Sequence, residues 1–301
     1  MKYVVGHKSP DTDTIVSAIA FSEYKKSKGE DIEPIRQGEL NDETKFLLEK
    51  FGFEAPKLVT KAGEDKFVLV DHNSYKQSVD NLKEEQILAV FDHHRIKLNT
   101  VRPIYFHSEA IGSTASILTK MFFKEGFEIS KNLAGILLGA LLSDTVVFKS
   151  ATTTEEDKKI AEKLAEIAEI KNIKEFGIEL KKKNADVSKK TANEIVTGDF
   201  KLFEVKETKY GVGQVELVEL EGIKNRKDEI LQEMEKVLSE KGLEFLILAV
   251  TDIMKEGSDL WIVGKKEVPE KAFGKTEENA IWLEGVMSRK KQIIPPINEN
   301  I

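Results

Sequence analysis

The chain of 301 residues contains no cysteine. That absence excludes disulfides, thiolate zinc sites, iron–sulfur clusters and cysteine nucleophiles together. No run approaches the ~20 apolar residues that a membrane-spanning helix needs. The longest, LAGILLGALL, is too short and reads as a buried helix. The opening MKYVVGHKSPD turns polar too early for a secretory signal, so a cytoplasmic protein is expected. Positive charge is not in excess either. The net charge of −7 disfavours broad binding to nucleic acid or an anionic membrane, although a local basic patch stays open. What remains is ordinary globular composition, 40% hydrophobic and 33% charged, in a chain long enough for two domains.

The first half alternates short strand-like runs with helical patterns. KYVVG (2–6), IEPIR (32–36), KFVLVD (66–71) and ILAVFD (87–92) read as strands. Residues 12–28 and 42–51 carry apolar side chains at helical spacing, and three more helices are expected over 112–126, 131–144 and 153–168. The runs at 66–71 and 87–92 are apolar on nearly every residue, as in strands covered on both faces, so the expectation is an α/β fold with a parallel sheet. KKKNADVSKK (181–190) lacks apolar periodicity and reads as a linker or a solvated helix end. Beyond it a smaller second α/β block is expected, with strands near 200–205, 211–220, 243–253, 259–264 and 280–285 and a long helix across 222–242.

Polar clusters fall where the apolar runs stop. His7, Asp11 and Asp13 follow the first strand; Asp71-His72 ends the third; Asp92-His93-His94 ends the fourth; Asp144 ends an apolar helix. In parallel α/β sheets ligands bind at the carboxyl ends of strands, so these clusters can converge on one crevice. Each also has a plainer reading. Asp11 and Asp13 suit helix N-caps, Asp71-His72 suits a strand end, and a His-His pair is more often surface or core than ligand. Asp144 at a helix C-terminus opposes the helix dipole and needs a compensating positive charge. Four aspartates brought together repel unless protonated or paired with cations. Imidazole mixed with carboxylate suits first-row divalent metals, and a bridging carboxylate suits two of them. The combination therefore points to a dinuclear metal site.

GHKSPDTD, VDH, DHH and LSDT resemble the four motifs of the DHH phosphoesterase superfamily. The chain lacks the glycine-rich GGGH signature of the nuclease branch, and its ending EGVMSRKKQIIPP resembles the family II, manganese-dependent inorganic pyrophosphatases. The similarity runs through almost the whole chain, including IGSTAS, SATTTEEDKKIAEKLAEIA and TDIMKEGS. Ser9 stands where the family pattern has Asn, and no regulatory insert separates DHH from LSDT.

The resemblance implies a parallel-sheet DHH domain over 1–186, a linker at about 187–191, and a smaller DHHA2 domain with a mixed sheet over 192–301, with the active site in the cleft between them. It implies that His7, Asp11 and Asp71 hold one metal, and that Asp13, Asp71, His93 and Asp144 hold the other, with Asp71 bridging. Asp92 would orient a ligand histidine from behind, and His72 would do likewise or serve the fold. His94, Lys201, Arg289 and Lys290 would bind and activate the substrate, His94 by protonating the leaving group. The implied reaction is hydrolysis of pyrophosphate to two orthophosphates by a metal-bridged hydroxide. Two Mn²⁺ are expected per subunit, with Co²⁺ or Mg²⁺ as alternatives and additional Mg²⁺ arriving with substrate. A homodimer through the first domain, open and closed forms about 181–190, and no nucleic-acid or membrane partner complete the expectation. The rival readings are an exopolyphosphatase, a DHH-type nuclease or oligoribonuclease, and a non-catalytic metal-binding module.

Overall fold

The computed structural model describes every residue except 185, 186, 188, 189 and 219. The chain forms two compact units, residues 1–184 and 185–301. The predicted linker at about 187–191 lies partly outside the described residues.

The first unit is built on six parallel strands: β1 (Lys2–Val5), β2 (Glu33–Arg36), β3 (Lys57–Leu58), β4 (Lys66–Val70), β5 (Ile87–Asp92) and β6 (Tyr105–Ser108). Their order is β3-β2-β1-β4-β5-β6, so the chain leaves β1 towards one edge and returns on its other side at β4. The switch between β1 and β4 opens a crevice at their carboxyl ends, and it fixes where ligands can enter. Alternate residues feed two apolar layers. Val4, Val68, Val70 and Phe91 meet the helices α1 (Thr12–Ser27) and α4 (Lys131–Asp144), while Val5, Phe67, Leu69 and Val90 fill the opposite face. Burial on both faces is why these strands read as unbroken apolar runs.

Helices α2 (Asp42–Phe51), α3 (Thr114–Lys124), α5 (Glu155–Ala168) and α6 (Ile173–Asn184) complete this unit. The strands β3 and β6 and the helix α6 were not expected. The two strands are very short edge strands with exposed residues, and α6 ends in Lys181-Lys182-Lys183, which hides its apolar face in sequence. Lys181, expected to be solvated, is 14% exposed and hydrogen-bonded inside the unit.

The second unit holds the five-stranded sheet β11-β10-β9-β8-β7, formed by β7 (Phe200–Val205), β8 (Thr208–Leu217), β9 (Phe245–Asp252), β10 (Gly257–Gly264) and β11 (Ala280–Glu284). Only β8 and β9 pair in parallel, so the sheet is mixed. The central strand β9 is buried at every position. The short helix α7 (Ala192–Thr197) precedes the sheet. The long helix expected over 222–242 is two helices, α8 (Glu221–Lys224) and α9 (Lys227–Lys241). Arg226 at the break donates to the carbonyls of Val187 and Lys190 at 2.6 and 2.8 Å, contacts that a continuous helix would not aim. Helices α10 (Glu267–Phe273) and α11 (Ile294–Asn300) close the unit. Among the described residues, no helix is long and apolar enough to cross a membrane.

Candidate metal centre

The crevice at the β1–β4 switch collects the polar clusters. His7 follows β1, and its Nε2 lies 3.3 Å from Asp11 Oδ2 and 3.5 Å from Asp71 Oδ2. Gly6 makes this approach possible, because a Cβ there would fall 2.1 Å from the Thr14 methyl carbon. Asp11 is the N-cap of α1, accepting the Thr14 N–H at 2.9 Å with Oδ1 and leaving Oδ2 for His7. Capping and ligation, alternatives in the sequence, are here compatible because the two oxygens serve different partners.

Asp13 points the other way, into the protein. Its carboxylate accepts the N–H groups of Thr114 and Ala115 at 2.7 and 2.9 Å, so it occupies the N-terminus of α3. Asp71 stands one residue past β4 with φ of +58°, a left-handed conformation that non-glycine residues adopt rarely. Thr14 and Thr114 donate their hydroxyls to its Oδ2 and Oδ1 at 2.7 and 3.1 Å. His93 follows β5, and its Nδ1 meets the Ile111 carbonyl at 3.0 Å. A carbonyl only accepts, so Nδ1 carries the proton and a neutral ring offers a lone pair at Nε2. That atom lies 3.5 Å from Asp71 Oδ1 and 3.2 Å from Asp144 Oδ2, at the end of α4.

Three candidate ligand groups therefore share Asp71, one of them formed with His93 and His94. The ligating atoms of His7, Asp11 and Asp71 lie within 4.8 Å of one another, as do those of Asp13, Asp71, His93 and Asp144. Charge dominates this arrangement. Burial, then the repulsion of Asp71 and Asp144, holds the carboxyl of Asp13 well above its ordinary range. Burial likewise raises Asp144, with the charge of Asp71 adding to it. His7 is raised to about 10, because the hydrogen bonds and charges of Asp11 and Asp71 outweigh the burial that would lower it. Protons thus gather where cations would otherwise balance the carboxylates. His93 Nε2 is buried yet makes no hydrogen bond. His93 is likewise raised to about 10, as the pairing with Asp144 and the charges of Asp71, Asp13 and Asp144 outweigh burial. A buried imidazole nitrogen facing carboxylates, with one carboxylate common to two groups, fits a pair of divalent cations of the first transition row.

The flanking residues depart from expectation. Asp92 serves His94 rather than the ligand histidine: it accepts His94 N–H and Nδ1–H at 3.1 and 2.9 Å, while the Ile111 carbonyl orients His93. The reason is local, since Asp92 closes β5 with its side chain turned to the Asn73 loop, from which Asn73 Nδ2 also donates to it. His94 is raised by that Asp92 hydrogen bond despite partial burial. His72 meets the Val70 carbonyl at 2.9 Å and the Ser78 hydroxyl at 2.7 Å, and burial lowers it to about 4. It is a neutral histidine that fixes the turn after β4, with no hydrogen bond to a ligand among the described residues.

In the second unit, Lys201 on β7 pairs in register with Val212 on β8. Arg289 donates to the Val212 carbonyl at 3.4 Å and to Asp199 O and Oδ1 at 2.6 and 2.8 Å. The structure thus brings Arg289 to the backbone beside Lys201. Arg289 is buried and starts a wide helical turn, Arg289–Ile293, whereas Lys201 and Lys290 are exposed. Gln292 ties that turn by accepting from Met287 and Ser288 N–H and donating to the Gly285 carbonyl. The basic stretch is therefore a positioned segment and not a solvated tail.

Sequence reasoning missed Gly6, Thr14, Ile111 and Thr114. The one available signal was IGSTAS, which marked the start of α3 but not its carboxylate guest.

Residues 2–141 match the DHH family N-terminal domain, and residues 178–300 match the DHHA2 domain. The chain is 45% identical to a manganese-dependent inorganic pyrophosphatase of Methanocaldococcus jannaschii, covering 99% of this chain and 98% of that protein. It is 46% identical to one from Methanothrix thermoacetophila, covering 98% and 96%. Among solved structures, a Methanococcus jannaschii protein assigned to the family II inorganic pyrophosphatases aligns with a TM-score of 0.75 at 44% identity, covering 100% of this chain and 99% of the other. An exopolyphosphatase-related protein from Bacteroides fragilis aligns at 0.53 with 17% identity, covering 99% and 91%, which is a likeness of fold.

Proposed function

The chain belongs to the family II, manganese-dependent inorganic pyrophosphatases, and from that membership we propose that it hydrolyses inorganic pyrophosphate to two orthophosphates. The observation that carries the reading is Asp71: its Oδ2 faces His7 and its Oδ1 faces His93, each at 3.5 Å, so one carboxylate serves two ligand groups. His7, Asp11 and Asp71 would hold one Mn²⁺, and Asp13, Asp71, His93 and Asp144 would hold the second. Manganese, when bound, supplies Lewis acidity and lowers the pKa of water at the site.

The chain's own residues do the rest. Thr14 and Thr114 fix both oxygens of Asp71, and the amides of α3 fix Asp13, so the carboxylates need not reorganise as charge shifts. Asp92 raises the pKa of His94 and aims its ring through Nδ1, which favours His94 as the proton donor to the leaving phosphate. Lys201, Arg289 and Lys290 supply positive charge to substrate, Arg289 as a fork already ordered by Asp199 and Lys290 as a point charge. In this reading residues 1–186 bind metal and residues 192–301 bind substrate, and Mg²⁺ arrives with pyrophosphate. A cytoplasmic homodimer joined through the first unit completes it.

Phosphate release by metal-stripped protein, before and after adding manganese, tests the reading. Fast manganese-dependent release from pyrophosphate, with tripolyphosphate and a dinucleotide left largely intact, is the expected result. Preference for tripolyphosphate would move the assignment to an exopolyphosphatase, and cleavage of the dinucleotide would move it to a nuclease.

A further inference from the structure

Glu43 and Lys181 form a buried charged pair that the reaction itself does not use. Glu43, in the first turn of α2, is fully buried at 0% exposure. Its Oε1 accepts the Thr12 hydroxyl at 3.0 Å, and its Oε2 lies 3.4 Å from Lys181 Nζ near the end of α6. Lys181 also donates to the Ser143 hydroxyl at 3.1 Å. Thr12 sits between Asp11 and Asp13, and Ser143 directly precedes Asp144. One ion pair thus reaches the chain beside three carboxylates that come from opposite ends of the first unit's sequence.

Burying a carboxylate in a helical core is costly unless it is paired and hydrogen-bonded. Capping and the helix dipole do not by themselves call for a buried acid here, since Asn41 caps α2 and the exposed Asp42 also lies in its first turn. The expense is explained if the pair sets a distance. We infer that Glu43 and Lys181 are positioning residues for manganese: through Thr12 and Ser143 they hold the Asp11–Asp13 segment and Asp144 at the separation the ligands need. The inference rests on the metal-site reading above. Lys181 also neutralises Glu43, so that no fifth uncompensated carboxylate burdens the cluster.

The test is Mn²⁺ affinity of the full-length protein, read from free Mn²⁺ by electron paramagnetic resonance, with melting curves to establish folding. Lys181→Met and Glu43→Gln are expected to weaken Mn²⁺ binding about 10-fold, the lower end of the range for residues that support metal ligands, and Lys181→Arg, which keeps the charge, by less. Saturating Mn²⁺ should restore kcat, with KM for pyrophosphate unchanged. Ser143→Ala, which removes only the outer link, should weaken binding in the same direction and serves if the larger changes prevent folding. Folded Lys181→Met and Ser143→Ala proteins with wild-type Mn²⁺ affinity, whatever their melting temperature, would overturn the inference. Asp71→Asn is the control. If it too binds Mn²⁺ like wild type, the metal-site reading falls and takes the inference with it; if it loses binding while Lys181→Met does not, only the inference falls.

Discussion

The carboxylate of Asp13 accepts the backbone N–H of Thr114 at 2.7 Å across 101 residues of sequence, which docks the first turn of α1 on the N-terminus of α3. The partial positive charge of a helix start stabilises an anion there. The same helix start offers the Thr114 hydroxyl to Asp71, so one turn of α3 orients a ligand from each of two segments. Removing that hydroxyl while keeping its shape, Thr114→Val, leaves a buried carboxylate oxygen short of one donor. The expected effect is a loss of about 1–3 kcal/mol in stability and of about 10-fold in Mn²⁺ affinity. Melting curves with and without Mn²⁺ check both, and an unchanged affinity would remove Thr114 from the account.

Gly6 is required for space rather than for backbone freedom. A methyl at Gly6 would sit 2.1 Å from the Thr14 side chain, and Thr14 is the other hydroxyl that holds Asp71. Gly6→Ala should therefore cost about 1–3 kcal/mol through overpacking and weaken metal binding more than its distance from the ligands suggests. A Gly6→Ala protein that binds Mn²⁺ normally would show that Thr14 can shift without consequence.

Proton and metal compete for the same atoms. In the metal-free protein His7 is raised from 6.5 to about 10 by Asp11 and Asp71, against the opposing effect of burial. A histidine whose folded pKa is raised contributes stability that is complete below its unfolded value and lost as pH rises through its folded value. Metal-free protein should therefore lose stability progressively above about pH 6.5, the unfolded value, while the stabilisation conferred by Mn²⁺ grows over the same window because ligands must shed protons to bind. Melting temperatures with and without Mn²⁺ from mildly acidic to mildly alkaline pH measure the difference. A gap that shrinks as pH rises would contradict the proposed ligand set.

Asp92 raises His94 by a direct hydrogen bond. Asp92→Asn should let His94 fall back towards its ordinary value, so the protonated form is lost at lower pH and the alkaline limb of the activity profile moves down. The loss in kcat should stay below the roughly 10²–10⁴-fold that a whole general acid contributes, because His94 itself remains. An unmoved alkaline limb would mean that His94 is not the proton donor.

The clustering of the candidate ligand residues was legible because they follow apolar runs, and parallel strands deliver such ends to one edge, where the end of α4 joins them. Order along the sequence also revealed the two α/β blocks, through strand–helix alternation in the first and apolar runs such as FLILAV in the second. The supports were not legible, since they depend on tertiary docking. Thr14 and Thr114 look like ordinary helix residues, and the Ile111 carbonyl has no side-chain signature at all. Asp92 was paired with the wrong histidine because neighbours in DHH point in different directions: His93 turns towards Ile111 and His94 turns back to Asp92. Lys181 was misread for a related reason. Within a run of lysines the one that faces inward carries no mark, and only the packing of α6 selects it.

Asp71 as the shared ligand is the claim on which the rest depends. The most direct measurement is the number of Mn²⁺ ions bound per chain and their magnetic coupling, by electron paramagnetic resonance, in wild type and Asp71→Asn. The wild type should bind two spin-coupled ions, and Asp71→Asn should lose the coupling together with most of the pyrophosphatase activity. A single ion, or two uncoupled ions in a fully active wild-type protein, would contradict that claim.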